Sequence, residues 1–262
     1  MSSLSYAVAD STTMLRRNLL HMRRNPSMTM LIIGTPVVFL LLFVYVFGET
    51  LGAGLSGGGG RREYLTYIAP AIILMSAAAT AQAIAISVAM DMTEGIIARF
   101  RTMSITRASV LAGHVYGGVI QAVLAMTAVL AVALLIGLRP DASALHWLAL
   151  LGLLGLIALA LAWLSVAFGL VTKSVETASN LPMFLMLLPI LSSGFVPVES
   201  IPAGIRWFAE YQPFTPFINS VRGLLAGTPN TADVWASVAW SVAIAVVGYA
   251  WSRSLYRRKS VR

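Results

Sequence analysis

Six stretches of the chain, 28–48, 64–90, 110–136, 145–171, 181–198 and 234–252, contain no Asp, Glu, Lys or Arg. Each is close to the roughly 20 apolar residues that cross a bilayer as a helix. Backbone N–H and C=O groups at that depth find no water, so they must pair internally, which leaves helices or a closed barrel. The runs are continuous and lack a period-two alternation, so the barrel is excluded. The expected fold class is therefore all-α integral membrane, with six transmembrane helices. Composition agrees: 58% of residues are hydrophobic and only 11% are charged, against about 25% charged in soluble domains. The first run lies behind 27 residues and exceeds the roughly 7–15 residues of a signal-peptide core. No small-residue cleavage pattern follows it, so it is expected to be retained.

Orientation follows from the basic residues. Arg16, Arg17, Arg23, Arg24, Arg99, Arg101, Arg107, Lys173, Arg253, Arg257, Arg258, Lys259 and Arg262 fall on one side of a six-span chain. Only Arg61, Arg62, Arg139, Arg206 and Arg222 fall on the other. The positive-inside rule places the richer side, with both termini, in the cytoplasm of a cell (inner or plasma) membrane protein. The net charge of +8 is thereby explained as topogenic charge beside anionic headgroups, and nucleic acid is not an expected partner.

Three segments outside the spans carry pattern. Residues 5–24 place Leu15, Leu19 and Met22 at helical spacing among arginines, which predicts an amphipathic helix on the inner leaflet within an interface region 1–27. Residues 91–107 carry Asp91 and Glu94, which suit a helix start. Ile96, Ile97, Phe100 and Met103 follow on one helical face, with arginines toward the end. Residues 199–233 contain Pro202, Pro213, Pro216 and Pro229 with Trp207, Phe208, Tyr211, Phe214 and Phe217 between them. That stretch is too broken to span and too apolar to be solvated. It predicts one or two short helices re-entering the outer half of the membrane, anchored by aromatics.

Catalytic chemistry finds no constellation. The chain has no cysteine, and His114 and His146 near span ends have no acid or thiol at ligand spacing, so metal binding is not expected. Such histidines are read as hydrogen-bonded packing residues and His21 as solvated. The run Leu55-Ser56-Gly57-Gly58-Gly59 lies in an external linker. The 167–174 stretch has Ala167 and Thr172 where a phosphate-binding loop needs glycine. The chain is therefore not expected to hydrolyse ATP. Proton- or ion-coupled carriers place ionisable groups in the membrane; here the spans are interrupted only by uncharged groups. Among these, Thr35, Gln82, Gln121, Ser192 and Ser193 are candidate pathway lining for an amphipathic solute, with interhelical hydrogen bonding as the ordinary alternative. Gly113 and Gly117 suit close helix packing.

Two stretches resemble a known family. The first is Asp91-Met92-Thr93-Glu94-Gly95-Ile96-Ile97-Ala98-Arg99-Phe100-Arg101-Thr102-Met103. The second runs from 184 to 224, with Leu191-Ser192-Ser193-Gly194-Phe195-Val196-Pro197, Ile201-Pro202, Arg206-Trp207, Gln212-Pro213 and Val221-Arg222-Gly223. Together with the span layout they resemble type-2 ABC exporter permeases, daunorubicin-resistance permeases in particular, over nearly the whole chain. The family usually has proline after the methionine of the first motif. Ser104 stands there, so that segment is expected to end less sharply.

The resemblance implies a permease domain over 28–262 and a membrane subunit without its own ATPase domain. ATP and Mg would be bound by two separate cytoplasmic ATPase subunits, and a second permease copy or a paralogue would complete the complex. Glu94, Gly95, Ile97, Phe100, Arg101 and Met103, within a coupling helix 91–107, would meet the ATPase. Gly194, Phe195, Pro197, Pro202, Pro213 and Arg222, in or beside a re-entrant segment 199–230, would form an external gate. The implied cargo is a hydrophobic or amphiphilic drug, antibiotic or lipid. Three other classes are weighed against this: a secondary transporter or channel, which calls for repeated halves or buried charge; a membrane-embedded lipid-modifying enzyme, which calls for clustered acids, histidines or cysteines; and a purely structural or assembly subunit, since transport leaves no catalytic residue to find.

Overall fold

The computed structural model describes residues 20, 26–54, 60–93, 107–172 and 174–259. Those residues form ten α-helices, a π turn and a 3-10 turn, with no strand among them. In chain order they are α1 (Pro26–Leu42), a π turn (Phe43–Phe47), α2 (Gly48–Ala53), α3 (Arg61–Thr93) and α4 (Arg107–Leu135). Then come α5 (Ala144–Val171), α6 (Val175–Asn180), α7 (Met183–Leu187), a 3-10 turn (Val198–Ser200), α8 (Ala203–Tyr211), α9 (Phe214–Leu225) and α10 (Thr231–Lys259).

Five helical stretches are long and apolar enough to cross a membrane: Thr29–Ala53, Arg61–Thr93, Leu111–Leu135, Ala144–Val171 and Thr231–Arg257. The chain is a multi-pass membrane protein. The central helix is α3, whose most apolar window is 72% buried by protein, against 17% for α10. Small residues explain this. Ala69, Ala71, Ala77, Ala78, Ala81 and Ala85 line α3 and are all buried, so α4 and α5 approach its backbone closely. A Cβ on Gly118 of α4 would come 2.3 Å from Ile84 Cδ1, and one on Gly169 of α5 would come 2.6 Å from the Ala85 carbonyl. Dispersion and backbone proximity, not water exclusion, hold helices together in lipid. α10 packs along α5, where Gly248 meets the backbone of Trp163 and Leu164.

Two expectations change here. The apolar run 181–198 does not form one spanning helix. After the single turn and a half of α7 it breaks into irregular turns. Pro189 is the reason: it lacks an N–H and its ring clashes with the carbonyl four residues back. Asp91 does not start a cytoplasmic helix either; it lies in the last turn of α3 and is 6% exposed. The remainder of the expected coupling segment, 94–106, and the expected surface helix at 5–24, apart from Leu20, lie outside the described residues. Between 199 and 230 stand two short helices, α8 and α9, each entered through a proline, Pro202 and Pro213. His146 closes a capping box with Ser143 at the start of α5, a structural role of the kind expected for it.

Candidate functional site

Between α7 and α8 the chain breaks into irregular turns, and several carbonyls of the break, among them those of Leu188, Pro189 and Ser193, are claimed by side chains. In a continuous helix the Ser193 carbonyl would receive the N–H of residue 197, but Pro197 has none. The Tyr67 hydroxyl of α3 donates to that oxygen at 2.9 Å, and Arg222 Nη2 of α9 donates to it at 2.9 Å. The Leu188 carbonyl accepts from Gln212 Nε2 at 2.9 Å. The Pro189 carbonyl accepts from Ser192 Oγ at 2.5 Å, and Ser192 Oγ in turn accepts the Gly194 N–H at 3.1 Å. Irregular backbone at membrane depth survives only where such partners exist.

Arg222 ties the arrangement together. Besides Ser193 it donates to the Tyr67 carbonyl and to Asn219 Oδ1, both at 3.1 Å, and its guanidinium carbon stands 4.2 Å from the centre of the Tyr67 ring. Asn219 Oδ1 also accepts from Ser193 Oγ at 2.8 Å. Among the described residues these acceptors are all neutral. Burial draws the guanidinium below its ordinary value, yet arginine starts so high that it stays cationic. One cation thus pins α3, the broken segment and α9 at a single point.

Packing closes the same point. Gly194 is seated so tightly that a Cβ would lie 2.6 Å from Ala71 Cβ and 3.0 Å from Ile218 Cδ1. The Phe195 ring meets Phe43 of the π turn edge-on at 5.1 Å, so the first spanning stretch also touches the break. Ser220 of α9 and Ser237 of α10 share a buried hydrogen bond of 2.9 Å. Residue by residue, Gly194, Phe195, Ser192, Ser193 and Arg222 are brought together. Pro197 contributes its missing N–H and holds the 3-10 turn through its carbonyl, which accepts from Ser200 Oγ at 2.6 Å. Pro213 opens α9, and Pro202 opens α8, an outlying helix with Trp207 and Tyr211 exposed.

The candidate lining does not gather into one surface. Gln82 donates to the Ser179 carbonyl of α6 at 2.7 Å. Thr35 lies in a shallow groove of α1 with Leu31, Gly34 and Val38, and Gln121 is half-buried on α4. The six coupling residues Glu94, Gly95, Ile97, Phe100, Arg101 and Met103 lie outside the described residues. Sequence reasoning missed Tyr67 and Asn219. The signal was indirect: Pro189 and Pro197 strip the helix of donors, so hydroxyl and amide groups elsewhere had to replace them.

Residues 11–226 match the family described as ABC-2 type transporter. The chain belongs to that family. This ABC-2 permease is 27% identical over 256 residues to the daunorubicin resistance ABC transporter permease protein DrrB1 of Streptomyces coeruleorubidus, covering 97% of this chain and 88% of the relative. It is 24% identical over 215 residues to the probable doxorubicin resistance ABC transporter permease protein DrrC of Mycobacterium tuberculosis, covering 81% and 75%. It is 28% identical over 230 residues to nodulation protein J of Rhizobium leguminosarum bv. viciae, covering 84% and 85%. The match takes in both the 94–106 segment and the capped break, and ends before α10. As an ABC-2 permease the chain is a membrane subunit, and its family implies an ABC ATPase as partner.

Proposed function

We propose that this permease exports a hydrophobic or amphiphilic solute, a drug, antibiotic or lipid, from the cytoplasm or inner leaflet, driven by ATP hydrolysed on separate subunits. The carrying observation is the family match from 11 to 226 on a chain whose 167–174 stretch has Ala167 and Thr172 where a phosphate-binding loop needs glycine. The drug-resistance names of two relatives support the cargo class. So does the scarcity of charge in the spans, since a bare ion would meet a desolvation cost of at least several kcal/mol.

In this reading two ATPase subunits, each holding ATP and Mg, join two permease copies or this chain and a paralogue in the cell membrane. Both termini are cytoplasmic, and the broken run 181–198 makes a sixth crossing. The amphipathic helix of region 1–27 and the coupling segment 91–107, through Glu94, Gly95, Ile97, Phe100, Arg101 and Met103, receive the ATPase. The Arg222 cluster, with Gly194, Phe195, Pro197, Pro202 and Pro213, serves as the outer gate within the re-entrant segment 199–230. ATP-driven closure of the ATPase pair pushes the coupling segments and shifts the spans between two packings, because packed interfaces switch between discrete arrangements.

Co-purification tests it. The wild-type chain should carry its cytoplasmic ATPase through purification, and inverted vesicles holding both should accumulate daunorubicin only with hydrolysable ATP. Phe100→Asp should abolish association without loss of expression. Retained association and export in that variant would overturn the coupling role.

A further inference from the structure

One carboxyl–imidazole contact is buried where none of the gate or lining residues lies. His114 Nε2 stands 3.1 Å from Asp91 Oδ2, with the two side chains 5% and 9% exposed. Asp91 sits in the last turn of α3 and His114 two turns into α4, so the pair bridges the two helices that lead into and out of residues 94–106.

Cohesion alone does not explain it. An acid in a final helical turn opposes the helix dipole, and a buried hydrogen bond adds only modest net stability because both groups lose water. α3 and α4 already meet deeper at Ile84 and Gly118, and α5 is held to α3 by Gly169 against Val88. What a directional polar contact adds is fixed register at the hairpin root. That root is continuous with a cytoplasmic-end cluster of Ile84, Val88, Leu111, Val166 and Tyr256, which joins α3 and α4 to α5 and α10.

We propose that Asp91 and His114 are positioning residues, a latch that makes the ends of α3 and α4 move as one body when the ATPase pushes on 94–106. The proposal rests on the exporter reading. With the latch closed, displacement passes to both helices and through the cluster to α5 and α10. With it open, one helix end slides past the other and the push is dissipated at the root.

The chain has no cysteine, so spin labels at Thr93→Cys and Tyr116→Cys, both exposed, report the α3–α4 distance when labelled permease is diluted with unlabelled copies and joined to a cysteine-free ATPase. The measurement uses the purified complex with its ATPase, nucleotide-free and trapped with ATP and vanadate. Without further substitution, the distance should be the same in both states. In His114→Asn, and independently in Asp91→Asn, it should match the unsubstituted value without nucleotide. On trapping it should shift by more than about 2 Å, the scale of helix displacement in switching transitions. The exchanged pair Asp91→His with His114→Asp should restore the constant distance. A merely stabilising contact would alter the nucleotide-free distance or the melting temperature and leave the trapping response unchanged, and that result overturns the latch. So does a distance that already changes on trapping when the pair is intact. If the ATPase fails to associate with the wild-type chain, the exporter reading falls first and the latch with it.

Discussion

Arg222 Nη2 donates to the Ser193 carbonyl at 2.9 Å across 29 residues of chain, and the Tyr67 hydroxyl donates to the same oxygen. The oxygen is free because Pro197 supplies no helical N–H to it. Losing Arg222 to Ala should destabilise the protein by about 1–3 kcal/mol, the cost of buried acceptors left unmade. Tyr67→Phe, which removes one of two donors, should cost about 1 kcal/mol. Arg222→Lys should recover little, since an ammonium cannot reproduce the planar fork. Thermal unfolding in detergent measures all three, and a Tyr67/Arg222 double-mutant cycle should show non-additivity because they share an acceptor.

Gly194→Ala should destabilise by about 1–3 kcal/mol, the usual penalty for overpacking. Its new methyl falls 2.6 Å from Ala71 Cβ. Adding Ala71→Gly should return part of that loss. Equal melting temperatures for the single and double variants would contradict the contact.

The two glycines facing α3 should differ in severity. At Gly118 a Cβ meets the end of the Ile84 side chain, which can rotate, whereas at Gly169 it meets the Ala85 carbonyl, which cannot move without the helix. Gly169→Ala should therefore lower folded yield more than Gly118→Ala. Ile84→Val should relieve only the latter.

Ser220 and Ser237 satisfy each other between α9 and α10. Either serine changed alone to Ala should cost about 1–2 kcal/mol by orphaning its partner, while the double change should come close to neutral. Unfolding midpoints of the three variants decide it.

Five of the six apolar runs stand as continuous helices because length and apolarity, the quantities read along the chain, are the quantities lipid imposes. The run 181–198 carries the same apolarity, but Pro189, Gly194 and Pro197 remove its donors and its regularity. Hydropathy is blind to that loss, although the residues are plain in the sequence. Within the capped break, Gly194, Phe195, Ser193 and Arg222 were legible from their ordered motif. Tyr67 was not, since a tyrosine near the end of a span reads as an interfacial anchor. Asp91 reads as a helix start because acids favour that end; in the structure it stands at the buried end of α3 and meets His114, 23 residues away.

Sequence alone determined that this chain lives in lipid as helices, and where most of them run, because the cost of unpaired backbone in hydrocarbon depends only on local composition. Tertiary structure decided how the one interrupted run is tolerated and which polar groups meet. A carbonyl without a helical donor must be satisfied by whatever side chain the packing brings within 3 Å, and here α3 and α9 bring Tyr67 and Arg222 to Ser193.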